Sequence, residues 1–300
     1  MAIALTTEEQ KSAERLVALA LAEDLGSAGD ITSRALIAES RQGAVNVVVR
    51  RNGVLAGVPV AEIVLQQLDR SARLKTLVSD GEKVGPGNVV AEVHGSWRCL
   101  LAAERTVLNF LMHLSGIATR TRQFVDAIAG TKAVILDTRK TLPGWRLLEK
   151  YAVRAGGGTN HRIGLFDGCL IKDNHLAAWQ ENHPRDSIAG AIAAARNAAP
   201  AGTPIEVEVD TLSQLREALA AQADIVLLDN MEAATIAQAV EIRDSQAPRV
   251  LLEASGGVTL ETVGAIAAAG VDRISVGGIT HSASALDMAF DWPETPGKPQ

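Results

Sequence analysis

Six short apolar runs recur through the second half of the chain, at 133–136, 169–171, 205–209, 225–228, 250–252 and 274–276, with helix-forming stretches between most of them. The last four begin 20, 25 and 24 residues apart. A strand, a helix and the return to a parallel strand take up about that length, so the cadence predicts a parallel sheet or (β/α) barrel. Strands covered on both faces are rich in apolar residues, as most of these runs are, with Glu206 and Glu208 interrupting the run at 205–209. Only 3% of the residues are aromatic while 47% are hydrophobic, which leaves Ala, Val, Leu and Ile to build the core.

Polar residues follow each run, and in a barrel the carboxyl ends of the strands form the active-site rim. They are Asp137-Thr138-Arg139-Lys140, then Lys172-Asp173-Asn174-His175, Glu208, Asp229-Asn230, Glu253 with Ser255-Gly256-Gly257, and Gly277-Gly278 after Val276. A Gly pair after a strand is often only a tight turn. Two such turns on one rim point more strongly to a terminal phosphate held by backbone N–H groups. Glu208 and Asp229 end neighbouring runs and are expected to face one pocket. Their hard oxygens suit Mg²⁺ or ribose hydroxyls, and the plain structural alternative for each is a helix cap or an ion pair. His161 stands between a glycine loop and Arg162, a place that favours facing an anion.

Charge is unevenly distributed. The chain carries −6 overall, which disfavours general nucleic-acid binding, yet residues 105–172 hold 11 Lys and Arg against 4 Asp and Glu. Arg120, Arg122 and Lys150 read as solvated charges on helix faces. Arg139, Lys140, Arg162 and Lys172 sit at the ends of apolar runs or in glycine-containing loops, and there they predict an anion-binding cleft.

The first 114 residues follow another pattern. A helix is expected over 5–25 behind a Thr-Thr-Glu-Glu start. Short β-like runs at 45–50, 54–58, 73–78 and 89–93, punctuated by Asn-Gly, Asp-Gly and Pro-Gly, make a small α/β unit. A helix over 97–114 follows, with Arg105 among Leu101, Val107, Leu108 and Leu111. A guanidinium buried there needs an anionic partner, either a ligand or an acid such as Glu104. Cys99 and Cys169 lie 70 residues apart without CxxC pairing and read as buried free thiols, not a disulfide or zinc site. No apolar run reaches membrane-spanning length and no basic leader precedes one, so a cytoplasmic protein without a membrane segment is expected.

Taken together, the runs Arg105-Thr-Val-Leu-Asn-Phe-Leu111, His113-Leu-Ser-Gly-Ile-Ala-Thr119, Asp137-Thr-Arg-Lys-Thr141, Glu149 through Arg162, Ile171-Lys-Asp-Asn-His175, Glu206-Val-Glu-Val-Asp210, Leu227-Leu-Asp-Asn230, Glu253-Ala-Ser-Gly-Gly257 and Val276-Gly-Gly-Ile-Thr-His-Ser282 closely resemble quinolinate phosphoribosyltransferase. The likeness runs in order over nearly the whole chain. Leu142 and Gly278 depart from residues more usual in that family, Thr and Ala, and bear only on pocket shape.

The resemblance implies an α/β fold: a C-terminal (β/α) barrel-like domain over 115–290, a smaller N-terminal α/β sandwich domain over 1–114, and a tail over 291–300. It implies transfer of a phosphoribosyl group from phosphoribosyl pyrophosphate to quinolinate with loss of CO₂, giving nicotinate mononucleotide for NAD synthesis. Arg105, Arg139, His161, Arg162 and Lys172 are then expected around the pyridine dicarboxylate, with Lys140 between it and the pyrophosphate and Thr138 also binding substrate. Glu208 and Asp229 would hold ribose hydroxyls or Mg²⁺, directly or through the donor, and act with Lys140 in catalysis. Ser255, Gly256, Gly257, Val276, Gly277 and Gly278 would take the 5′-phosphate. The family implies a homodimer in which the small domain covers the partner's site, so that Arg105 is delivered across the interface. The alternatives are a related barrel enzyme acting on nicotinate, the molybdate-transport-associated group of the same fold, and a non-catalytic sensor of phosphorylated metabolites.

Overall fold

The Thr6 hydroxyl accepts the Glu9 N–H at 3.2 Å and the Glu9 carboxylate accepts the Thr6 N–H at 2.8 Å, a reciprocal cap that starts helix α1 (Thr7–Leu25). In the computed structural model that we describe, residues 3–184 and 186–292 are placed. They form two units that interleave in sequence: one runs to Arg122, takes up Thr141–Gly157 again and resumes at Ile279; the other is Gln123–Lys140 with Gly158–Gly278.

In the first unit, α1 is followed by α2 (Ile31–Leu36), β1 (Gln42–Val49), β2 (Gly53–Val54), α3 (Val58–Leu68), β3 (Arg73–Thr76), β4 (Lys83–Val84), β5 (Val89–Ser96) and α4 (Trp97–Ala127). The later elements of the chain are β6 (Val134–Leu136), α5 (Arg146–Ala155), β7 (Cys169–Ile171), α6 (Asp173–Asn182), α7 (Ile188–Ala198), β8 (Ile205–Val209), α8 (Leu212–Ala220), β9 (Ile225–Asp229), α9 (Ala233–Gln246), β10 (Leu251–Ser255), α10 (Leu260–Ala268), β11 (Arg273–Ser275), α11 (Gly278–His281) and β12 (Met288–Asp291). An antiparallel sheet in the order β12-β1-β5-β3 organises the first unit, and β2 pairs with β4. The sheet thus takes its edge strand from the far end of the chain, Asn46 lying opposite Asp291.

Three expectations are corrected here. The run 54–58 is not one strand: Gly57 turns with φ 107°, and Val58 opens α3. Buried Asp80 causes the break by accepting the N–H groups of Gly57 (2.7 Å) and Val58 (3.3 Å), while the Tyr151 hydroxyl also donates to it. Lys150 is buried instead of solvated, because α5 packs nearly all of residues 148–155 inward. Arg105 is exposed, beside exposed Asn109 one turn on, whereas Ala103, Val107, Leu108 and Leu111 form the buried side of α4. Facing water, it needs no partner within the chain, and among the described residues it makes no ion pair with Glu104 or any other acid. Of the two free thiols, Cys99 is buried and Cys169 half-buried.

The second unit is built on a six-stranded parallel sheet ordered β6-β11-β10-β9-β8-β7. Consecutive strands β7 to β11 are neighbours and the first strand, β6, pairs with the last. That is the circular order of a singly wound barrel with one seam between its first and second strands. Thr159 begins to fill the seam by a parallel bridge to Leu136, its N–H donating to Ile135 O at 2.8 Å. All of β8 is buried, Glu206 and Glu208 included, and so is most of apolar β9.

Candidate active site

The parallel register brings the carboxyl ends of the strands level. Ile171 lies opposite Val207, Glu208 opposite Leu227, and Asp229 opposite Ser255, so the residues following each strand converge on one rim. There they line a cavity of about 510 Å³ within the second unit. Thr138, Arg139 and Lys140 enter from the end of β6, His161 and Arg162 from the seam, Lys172 after β7, Glu208 and Asp229 from β8 and β9, Ser255 from the end of β10, and Gly256 and Gly257 just after it. Eleven of the expected site residues are thereby assembled. Arg105 belongs to the other unit, and Val276, Gly277 and Gly278 are not among the lining residues. A Cβ at Gly278 would meet nothing within 4 Å, so the departure from Ala there has room to be neutral.

The cationic side is held by the backbone. The Thr138 hydroxyl accepts the Lys140 N–H at 3.0 Å, and fully buried Asp137 accepts the His161 N–H at 2.8 Å and Asn160 Nδ2 at 2.7 Å. Arg162 Nη1 donates to Gly168 O at 2.8 Å. Burial, and after it the like charge of Arg139, lowers the Arg162 pKa. Two guanidiniums kept side by side make an anion the matching ligand.

Across the cavity the carboxylates form two layers. At the rim Lys172 Nζ is ion-paired with Glu208 Oε2, and Asp229 Oδ2 accepts Asn230 Nδ2 at 2.8 Å. Deeper, His161 Nε2 lies 3.2 Å from Glu206 and 3.3 Å from Glu253, and Arg273 Nε donates to Glu253 at 2.7 Å. Burial by itself depresses the His161 pKa, but hydrogen bonds and charge from Glu206 and Glu253 outweigh it and raise the ring to about 9. The Arg162 N–H, donating to Nδ1 at 2.7 Å, pulls the other way by favouring the neutral ring. Burial raises Glu206, whereas His161 and Arg273 hold Glu253 ionised against the same burial.

Glu208 and Asp229 form an all-oxygen pair at the rim, which suits a Mg²⁺ that takes one or two carboxylates and completes its shell with water and phosphate oxygens. The deeper trio of His161, Glu206 and Glu253 has its ligand atoms within 4.8 Å of one another, but it includes a ring nitrogen and is already cross-linked to Arg273. It fits Mg²⁺ less well than the rim pair.

Glu253, Asn230, Ser275 and the apolar pair Leu170 and Leu227 also line the cavity and were given no role from sequence. Glu206 was missed as well, although its i, i+2 spacing from Glu208 places both on one face of a strand. The apolar pair gives the cavity a surface against which a flat ring can pack.

Comparison with known proteins identifies a family. The family models described as quinolinate phosphoribosyl transferase, N-terminal and C-terminal domains, match residues 30–115 and 117–291. A nicotinate-nucleotide pyrophosphorylase [carboxylating] from Mycobacterium leprae is 47% identical over 94% of this chain and 98% of its own. A probable one from Bacillus subtilis is 44% identical over 90% and 89%. The solved nicotinate-nucleotide pyrophosphorylase of Francisella tularensis superposes with a TM-score of 0.86 at 42% identity, covering 97% of this chain and 98% of that one.

Proposed function

The chain belongs to the quinolinate phosphoribosyltransferase family, and from that premise we propose that it transfers the 5-phosphoribosyl group of phosphoribosyl pyrophosphate to the ring nitrogen of quinolinate. Loss of the 2-carboxylate as CO₂ then gives nicotinate mononucleotide, a precursor of NAD. The observation that carries the reading is one rim on which a cationic wall, Arg139, Lys140, Arg162 and Lys172, faces a carboxylate pair, Glu208 and Asp229, beside the Ser255-Gly256-Gly257 turn.

Arg139 and Arg162 suit the dicarboxylate because a planar guanidinium binds both oxygens of a carboxylate. Lys172 adds a point charge, and His161 adds a positive one from below the rim. Its Nε2 is already engaged by Glu206 and Glu253, so that side of the ring contributes charge and not a free donor. As pyrophosphate departs, C1′ of the ribose becomes cationic; Glu208 and Asp229 stabilise that charge and Lys140 the leaving anion. Mg²⁺ held by Glu208 and Asp229, directly or through the donor, would supply charge neutralisation at the pyrophosphate. The alkylated ring nitrogen accommodates the electrons left at C2 when CO₂ leaves, so no protein nucleophile is required. The pocket's task at that step is to bind the ring and exclude water.

The same reading includes a homodimer in which exposed Arg105 reaches the partner's quinolinate, and a cytoplasmic location; no helix among the described residues is long and apolar enough to cross a membrane. The decisive assay follows CO₂ release from carboxyl-labelled quinolinate. Release should require both phosphoribosyl pyrophosphate and Mg²⁺. Turnover without the donor, or undiminished turnover in excess chelator, contradicts the reading or its metal respectively.

A further inference from the structure

Asn230 follows β9 with φ 51°, one of two non-glycine residues with positive φ among the described residues. Asn tolerates the left-handed region better than most residues, but Gly is easier there, so a retained side chain calls for a use. The side chain and backbone of Asn230 are tied in three directions. Its Nδ2 donates to Asp229 Oδ2 at 2.8 Å, and its backbone N–H donates to Ser255 O at 2.9 Å. Its carboxamide also fills the space over Gly256, whose φ is 88°: a Cβ built there would stand 2.5 Å from Asn230 Cγ. The orientation of the amide follows from chemistry, since only the NH₂ end can donate to a carboxylate.

We infer that Asn230 is a positioning residue that locks the Asp229 carboxylate to the Ser255-Gly256-Gly257 turn, so that the ribose or metal end and the phosphate end of the donor site move as one piece. The inference rests on the reading above, in which Asp229 and that turn receive the same substrate. Its consequence is selective: removal of the carboxamide loosens the donor's side of the cavity and leaves the quinolinate side, made by Arg139, Arg162 and Lys172, in place. Gly256 is the matching half of the device, because only a residue without a Cβ admits the carboxamide at that distance.

The variant that isolates the side chain is Asn230→Gly, which keeps the left-handed backbone accessible. Its KM for phosphoribosyl pyrophosphate should rise about tenfold, the order expected from one lost hydrogen bond to a charged group. Quinolinate binding in the absence of donor, followed by calorimetry, should stay at the wild-type value. Asn230→Asp preserves size but cannot donate to Asp229, and should fail in the same way. Gly256→Ala should also raise the donor KM, and by a smaller factor in the Asn230→Gly background, where the methyl has room. An unchanged donor KM in Asn230→Gly, or equal weakening of both substrates, overturns this assignment while wild-type turnover leaves the parent reading standing. A wild-type chain that does not convert quinolinate overturns both.

Discussion

Lys172 and Glu208 are ion-paired across the adjacent strands β7 and β8, so a cation assigned to one substrate is held by a carboxylate assigned to the other. Lys172 remains about half exposed (46%) while Glu208 is nearly buried (9%). The lysine is therefore the more solvent-accessible partner. On the proposed reading, a donor bound at Glu208 would compete with Lys172 and free its ammonium for the pyridine carboxylate.

Glu208→Gln should for this reason separate the two substrates. We expect the KM for phosphoribosyl pyrophosphate to rise by about tenfold or more, on the scale of a lost charge-assisted contact. Quinolinate binding without donor should be unchanged or tighter, because Lys172 is released. Steady-state kinetics with calorimetry measures both, and weaker quinolinate binding would contradict the competition.

Nicotinate should be a poor substrate. It lacks the carboxylate that pairs with part of the cationic wall, and a lost charge-assisted hydrogen bond is worth about 1.5–3 kcal/mol. A kcat/KM at least about tenfold below that of quinolinate is expected under matched conditions. Comparable efficiencies would point to the monocarboxylate enzyme instead.

His161 should remain charged well above the range of an ordinary histidine, titrating near 9 by NMR of its ring carbons. A raised folded pKa means that its contribution to stability is present in full below about 6.5 and is lost as pH rises through about 9. The melting temperature should fall over that window, and less so in His161→Gln. A neutral ring at pH 7 would show that the Arg162 amide, not the two glutamates, decides its state.

Arg105→Ala should reduce turnover more than about tenfold and leave the dimer intact, if the exposed guanidinium serves the partner's site. Mixed with Lys172→Ala, a second inactive variant, it should regain activity: one site of each heterodimer collects both lesions and the other none. Recovery is therefore limited to half of the heterodimer's sites. Verified subunit exchange without recovered activity would refute delivery across an interface.

The first unit offers a test of stability. Glu9 closes the N-terminal cap of α1 and accepts both Arg154 Nη1 (2.6 Å) and Nη2 (2.9 Å), which with the cap hold its carboxyl below the usual range despite burial. Glu9→Ala removes both interactions and should destabilise the protein by about 2 kcal/mol. Chemical denaturation measures the loss, and a change within about 0.5 kcal/mol, the usual range for an inconsequential surface substitution, would contradict it.

The sequence was most legible where one physical signal acted alone. Apolar-rich runs bounded by polar ends located β7 and β8 to the residue, and the Thr-Thr-Glu-Glu stretch marked the start of α1 to within two residues. Legibility failed where a distant group intervened: the fate of 54–58 depends on Asp80, and the inward packing of Lys150 on the placement of α5. Arg105 was misread because apolar neighbours in sequence lie on another face of the helix. At the site, the rim residues could be read from their position after each strand. Glu253 and Asn230 could not be assigned, since their roles arise from contacts with His161, Arg273 and Gly256 on other strands or turns.

The pairing of β12 with β1 also has a consequence for synthesis. A chain emerging from the ribosome N-terminus first can make β1, β5 and β3 early, but the outer edge of β1 stays without its native neighbour until residue 291 is free of the exit tunnel. The unit begun first is thus the last to be completed. During that interval β1 presents an open edge, the kind of surface through which nascent chains associate wrongly. Truncation before Met288 would make that transient condition permanent, so loss of the segment from Met288 onward should be felt in the sheet begun by β1.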